Sequence, residues 1–154
     1  MPLVQVAALV SSLHLLALAL GLPSVFLRGR ALRLPLDQAG FSRLFAADTL
    51  WGIAALVWIS TGLLRAFAGL EKGSTFYLSS PFFIVKMVLL VVILVLEIWP
   101  MTTFIRWRIA RRRGREPDTS VAGRLFAINQ VQVVLVVVMV FAASLMARGV
   151  GMGS

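Results

Sequence analysis

The sequence predicts an all-α fold: an integral membrane four-helix bundle with its N-terminus and C-terminus outside. Three observations carry this. Four apolar stretches, about residues 4–27, 47–70, 81–105 and 124–147, are each long enough to span ~30 Å of hydrocarbon at about 20 residues per crossing. Hydrophobic residues make up 60% of the 154 residues, at a mean hydropathy of +0.95, well above the roughly half apolar content of soluble domains. The arginines also crowd into two of the connecting loops, which the positive-inside rule places in the cytoplasm. The spans account for nearly the whole chain, so residues 1–154 read as a single transmembrane domain.

The first stretch contains "LLALALGLP", which resembles the apolar core of a signal peptide. The preceding "MPLVQV" carries no Lys or Arg, and arginines follow instead of a small-residue cleavage site, so it reads as a helix. The loop after it, "RGRALRLPLDQAGFSRLFAADT", holds Arg28, Arg30, Arg33 and Arg43 against Asp37. Its basic and apolar alternation suits either a segment lying on the headgroups or a loop snorkelling its arginines. In the second stretch Asp48, Gly52, Ala55, Ile59, Gly62, Ala66 and Gly69 recur at intervals of four and three, a stripe of mostly small residues expected to pack closely against another helix. Trp51, Trp58, Trp99 and Trp107 read as lipid contacts or interfacial anchors.

Between the second and third stretches the only charged residues are Lys72 beside Glu71. The third, "SSPFFIVKMVLLVVILVLEIWP", carries two ionisable groups, Lys86 and Glu97. Their spacing puts them on nearly one helix face but ~16 Å apart, too far to pair within a straight helix. Beyond it, "RWRIARRRGREPDTSVAGR" continues the helix for a turn or two before turn-forming residues break it, with Asp118, Thr119 or Ser120 as candidate caps for the last helix. The tail offers only Arg148.

Fifteen Lys plus Arg against six Asp plus Glu would suit a nucleic-acid surface, but their confinement to two loops reads as topology and lipid headgroup contact, with no nucleic acid as partner. The absence of cysteine excludes disulfides and thiolate metal sites, and no phosphate loop or hydrolytic triad is readable.

With depth assigned from the helix rise, His14, Arg65 and Lys86 form a cationic layer in the outer half. Asp48, Glu97, Thr102, Asn129, Gln130 and Gln132 form an acidic and amide layer in the inner half. Charges at such depth are costly and belong in a bundle interior, a wet cavity or a subunit contact. Lys86 either snorkels or binds an anion with Arg65. Glu97 is either hydrogen-bonded to Asn129, Gln130 or Gln132, or a proton-relay carboxylate. His14, the single histidine, is either a packed residue or a ligand, and no metal site can be built from histidines of one chain.

"DTLWGIAALVWISTGLLRAF" followed by "YLSSPFFIVKMVLLVVILVLEIWPMTTFIRW" resembles a bacterial family of predicted four-helix membrane proteins classed as a domain of unknown function. That resemblance implies a multi-pass protein of the bacterial inner membrane and brings no established activity with it. More distantly, a histidine in the first helix and a lysine near the start of the third are similar to HemJ-type protoporphyrinogen oxidases. This implies haem or porphyrin as cofactor, with His14 as ligand and Lys86 facing a propionate. This chain has Leu96 and Glu97 where those proteins tend to carry an aromatic–histidine pair.

The expected function is a structural or accessory subunit of a membrane complex, whose partners are the lipid bilayer and either further copies of the chain or a larger assembly. The alternatives are a haem- or porphyrin-binding redox protein and an oligomeric proton-coupled transporter using Glu97 and Asp48.

Overall fold

The computed structural model describes residues 2–68 and 74–150, in five helices: α1 (Leu3–Arg33), α2 (Gln38–Phe67), α3 (Ser74–Ser79), α4 (Pro81–Arg112) and α5 (Ala122–Ala147). No strand occurs among the described residues. The four long helices are each long and apolar enough to cross a membrane. Gly69, Glu71 and Lys72, singled out in the sequence, lie outside the described residues.

The helices outrun their apolar windows. α1 continues through Arg28 and Arg30 to Arg33, and α2 begins at Gln38 instead of near residue 47. A hydropathy window ends at the first charges, whereas helical hydrogen bonding continues through Leu, Ala and Arg, all good helix formers. The first basic loop therefore shrinks to a turn over residues 34–37, and the rest of it is helical. Asp37 closes the turn, its carboxylate accepting the Gly40 backbone N–H at 2.7 Å as the N-cap of α2. The Pro35 carbonyl lies so close to Gly40 that no Cβ would fit there.

The second Arg-rich connection starts at Gly114, whose φ of +68° is the left-handed conformation that ends helices. The expected cap for α5 is corrected: its N-cap residue is Val121, which makes no side-chain cap bond. Asp118 instead accepts the backbone N–H of Ser120 at 2.9 Å, which holds its carboxyl below the usual pKa. The Trp107 indole N–H donates to the Asp118 carbonyl at 3.1 Å, tying this loop back to α4.

α1 packs along both α2 and α5, and α5 packs on α4; α2 and α4 have no broad interface. Large apolar side chains such as Leu56, Leu15 and Phe141 point outward, as a lipid-facing surface requires. Inside, Leu44, Phe104 and Leu125 pack at the Arg-rich end, Val25, Trp51 and Val136 at mid-height, and Ala66, Phe83 and Met146 at the opposite end. Two of the four tryptophans thus depart from the lipid-anchor reading, since Trp51 and Trp107 are buried in the core.

The close-packing face of α2 is also corrected. Its buried positions are Leu44, Ala47, Trp51, Ala54 and Thr61, while Gly52 faces open space. The true stripe is mostly one residue, or ~100°, away from the small-residue pattern, of which Asp48, Gly62 and Ala66 still meet other helices. The glycine that permits close approach is Gly21 of α1, where a Cβ would sit 3.3 Å from that of Ala54. Gly21→Leu should lower the thermal midpoint of the detergent-solubilised protein, by about 1–3 kcal/mol of overpacking. Gly52→Ala should leave it unchanged or raise it, by up to about 1 kcal/mol of helix propensity.

Candidate functional site

The acidic and amide layer gathers around a residue that the sequence reading placed in a loop. Arg28, on the penultimate turn of α1, is fully buried. Its Nε–H donates to Asn129 Oδ1 at 2.8 Å. Nη1 donates to Asp48 Oδ1 at 3.0 Å and Glu97 Oε1 at 2.6 Å; Nη2 donates to Glu97 Oε2 at 2.9 Å and Gln132 Oε1 at 2.8 Å. A guanidinium has five N–H donors, and all five have acceptors. Its faces lie 5.8 Å from the Trp51 ring and 5.6 Å from the Phe104 ring.

The partners are in turn tied together. Gln132 Nε2 donates to Glu97 Oε2 at 2.6 Å, and Asn129 Nδ2 to the Val25 carbonyl at 2.8 Å. Asp48 Oδ2 pairs with Arg108 Nη2 at 3.0 Å. Two guanidiniums and two carboxylates balance, and every long helix contributes. Gly29 is required beside them, because a Cβ there would lie 2.5 Å from Asn129 Nδ2. Of the residues assigned to this layer, Gln130 is exposed and outside the cluster, and the Thr102 hydroxyl donates to carbonyls of its own helix.

Arg28 was missed because it lies just past the apolar window. The signal was nonetheless present: Asp48, Glu97, Asn129 and Gln132 form an acceptor-rich layer with no cation at their depth, and Arg28 is the nearest arginine to it in helical phase with Gly21 and Val25.

At the opposite end His14, Arg65 and Lys86, from three different helices, line one cavity of about 420 Å³. Trp58, Phe83 and Met139 form much of its apolar wall. His14 Nδ1 lies 3.1 Å from the Trp58 carbonyl and 2.9 Å from Thr61 Oγ1. A carbonyl only accepts, and the Thr61 hydroxyl already donates to the Val57 carbonyl at 2.6 Å, so Nδ1 carries the proton. In the neutral ring the lone pair then sits on Nε2. The Trp58 ring stacks on His14 with centroids 5.7 Å apart. Gly62 makes room for this, since its Cβ position is 3.1 Å from His14 Cε1. The Trp58 indole N–H is buried without a hydrogen-bond partner among the described residues. His14, Arg65 and Lys86 are all engaged with their surroundings, so a ligand would join or exchange existing contacts. No group of three or more metal-ligating side chains occurs among the described residues.

Removing one partner of a buried ion pair costs about 3–5 kcal/mol, whereas replacing the pair by apolar groups is often neutral. Arg28→Met should therefore abolish the monodisperse gel-filtration peak in detergent or cut its thermal midpoint sharply. Arg28→Met with Glu97→Leu should recover part of that loss.

Residues 6–151 match the family described as "Predicted membrane protein (DUF2214)", nearly the whole chain, and the chain belongs to that family. No curated protein and no solved structure matches it.

Proposed function

We propose, taking membership of that membrane-protein family as the premise, that the chain is an accessory membrane protein that binds an amphipathic anion in the cavity lined by His14, Arg65 and Lys86. The observation that carries this is the contrast between the two ends of the bundle. The Arg28 cluster is internally neutral and all of its guanidinium donors are matched, so it supports a structural role. The cavity at the other end joins two basic side chains and an oriented imidazole to apolar walls, within the usual size range of ligand sites of roughly 300–1,000 Å³. With the Arg-rich loops read as cytoplasmic, the cavity lies in the outer half of a bacterial inner membrane.

A specific observation favours a second reading, in which the ligand is haem or another metalloporphyrin. A histidine that ligates a metal characteristically donates its other ring N–H to a carbonyl or carboxylate, and His14 Nδ1 is held in this way by Trp58. The residues fit: His14 would hold the metal, Arg65 and Lys86 the propionates, and the Met139 thioether lines the same wall. Such a group would supply one-electron chemistry; the chain would supply its seat and the charge balance. The proton-coupled reading draws less support. Glu97 forms a two-point fork with Arg28 and accepts from Gln132 as well, so a proton on either oxygen would displace at least one of these donors and remove the charge that faces Arg28.

Native mass spectrometry of the purified protein, paired with oxidised and dithionite-reduced absorption spectra, tests both. A stoichiometric small-molecule adduct should be present and should be lost in Arg65→Gln/Lys86→Gln. A Soret band that disappears in His14→Ala would identify the ligand as haem. A folded, adduct-free chain would overturn the binding reading, and a co-purifying protein in place of the adduct would leave a structural subunit of a complex.

A further inference from the structure

The two arginines nearest Asp48 differ in how completely they are used. Arg28 has an acceptor for every donor. Arg108 directs Nη2 alone at its neighbours: the Phe45 carbonyl at 2.9 Å, Thr49 Oγ1 at 3.2 Å and Asp48 Oδ2 at 3.0 Å. Its Nε–H and Nη1–H groups have no partner among the described residues, and its side chain is 28% exposed. Arg108 lines an open groove of about 460 Å³ between the first turns of α2 and the last turns of α4, together with Gln38, Ser42, Arg111 and Arg112.

The groove is built for an anion. The Arg108 guanidinium lies over the Phe45 ring at 4.8 Å and that of Arg111 over the Phe41 ring at 4.9 Å, so two of the three charges are held in place by aromatic faces. Among the described residues no carboxylate lies within ion-pair distance of Arg111 or Arg112, and the one beside Arg108 is shared with Arg28. Gln38 and Ser42, one turn apart and exposed, add neutral donors.

Below the groove both walls become apolar. Met101, Ile105, Arg108 and Arg112 recur at intervals of four, three and four, so they share one face of α4, and Ile105 and Met101 are each nearly half exposed. On α2, Phe45, Thr49 and Gly52 share the corresponding face, and Gly52 meets nothing within 4 Å of its Cβ position. α2 and α4 have no broad interface, and these exposed positions form an apolar lane leading from the arginines toward mid-membrane.

We infer that this groove binds an anionic phospholipid, its phosphodiester held by Arg108, Arg111 and Arg112 and one acyl chain lying in the lane beside Gly52. The lane identifies the source of the phosphate as the bilayer, since a water-soluble phosphate would have no use for it. Through Arg108, which also pairs with Asp48, the bound headgroup is linked to the ion cluster that joins the helices.

The test is retention of dioleoylphosphatidylglycerol against dioleoylphosphatidylcholine by the detergent-purified full chain, read by native mass spectrometry and by thermal midpoint. The wild type should retain phosphatidylglycerol preferentially and be stabilised by it. Arg111→Gln/Arg112→Gln should bind it roughly thirtyfold more weakly, at about fivefold per arginine near a charged surface, with its lipid-free midpoint unchanged. Gly52→Leu should weaken retention with every charge intact. Equal retention of the two lipids, or undiminished retention in both variants, overturns the inference. Inorganic phosphate stabilising the protein as well as the lipid does, unaffected by Gly52→Leu, would make this a soluble-phosphate site and overturn the lipid assignment.

Discussion

The fold depends on burying one guanidinium. A charge at the position of Arg28 is intolerable unless every N–H finds an acceptor, and the acceptors come from three other helices. Satisfying all five at once fixes the height and rotation of each helix relative to α1. Lipid-facing Leu and Val cannot do this, because hydrocarbon tails accept any apolar face equally well. The cluster therefore supplies register, while Phe104, Leu125 and Val136 fill the apolar core on either side of it. An arginine suits this role better than a lysine, since only a planar fork meets Glu97 at two points while also reaching two amides.

That constraint divides the molecule. At the Arg-rich end the buried Arg28 has an acceptor for every donor, and Leu44, Phe104 and Leu125 pack in the core there. At the opposite end His14, Arg65 and Lys86 line a cavity, and the buried Trp58 indole N–H has no acceptor among the described residues. A rigid, saturated base under a less filled upper half is the arrangement expected where one part of a small bundle maintains shape and the other receives something.

The four crossings were legible because an apolar run of about 20 residues has few other uses in a chain this hydrophobic. The gathering of His14, Arg65 and Lys86 at one height followed from the helix rise alone. What escaped was rotation and the extent of each helix. Small residues on α2 suggested one face and the chain buried the neighbouring one, because Trp51 and Thr61 have partners on α1 that a single-helix pattern does not contain. Arg28 escaped for a related reason: depth was judged by hydropathy, and the closely spaced Arg28, Arg30 and Arg33 read as the end of a span. A count of acceptors against donors at each level of the bundle would have found it.

The distribution of Arg28's acceptors also bears on how the chain is made. Only Asp48 belongs to the first helical hairpin; Glu97, Asn129 and Gln132 all belong to the second. While only the first hairpin exists, most of the guanidinium's donors require water, which keeps that end of α1 at the bilayer surface. Arrival of α4 and α5 removes the requirement. Final seating of the first helix is thereby coupled to the presence of the last two, and a chain lacking them leaves four of the five guanidinium donors without their acceptors.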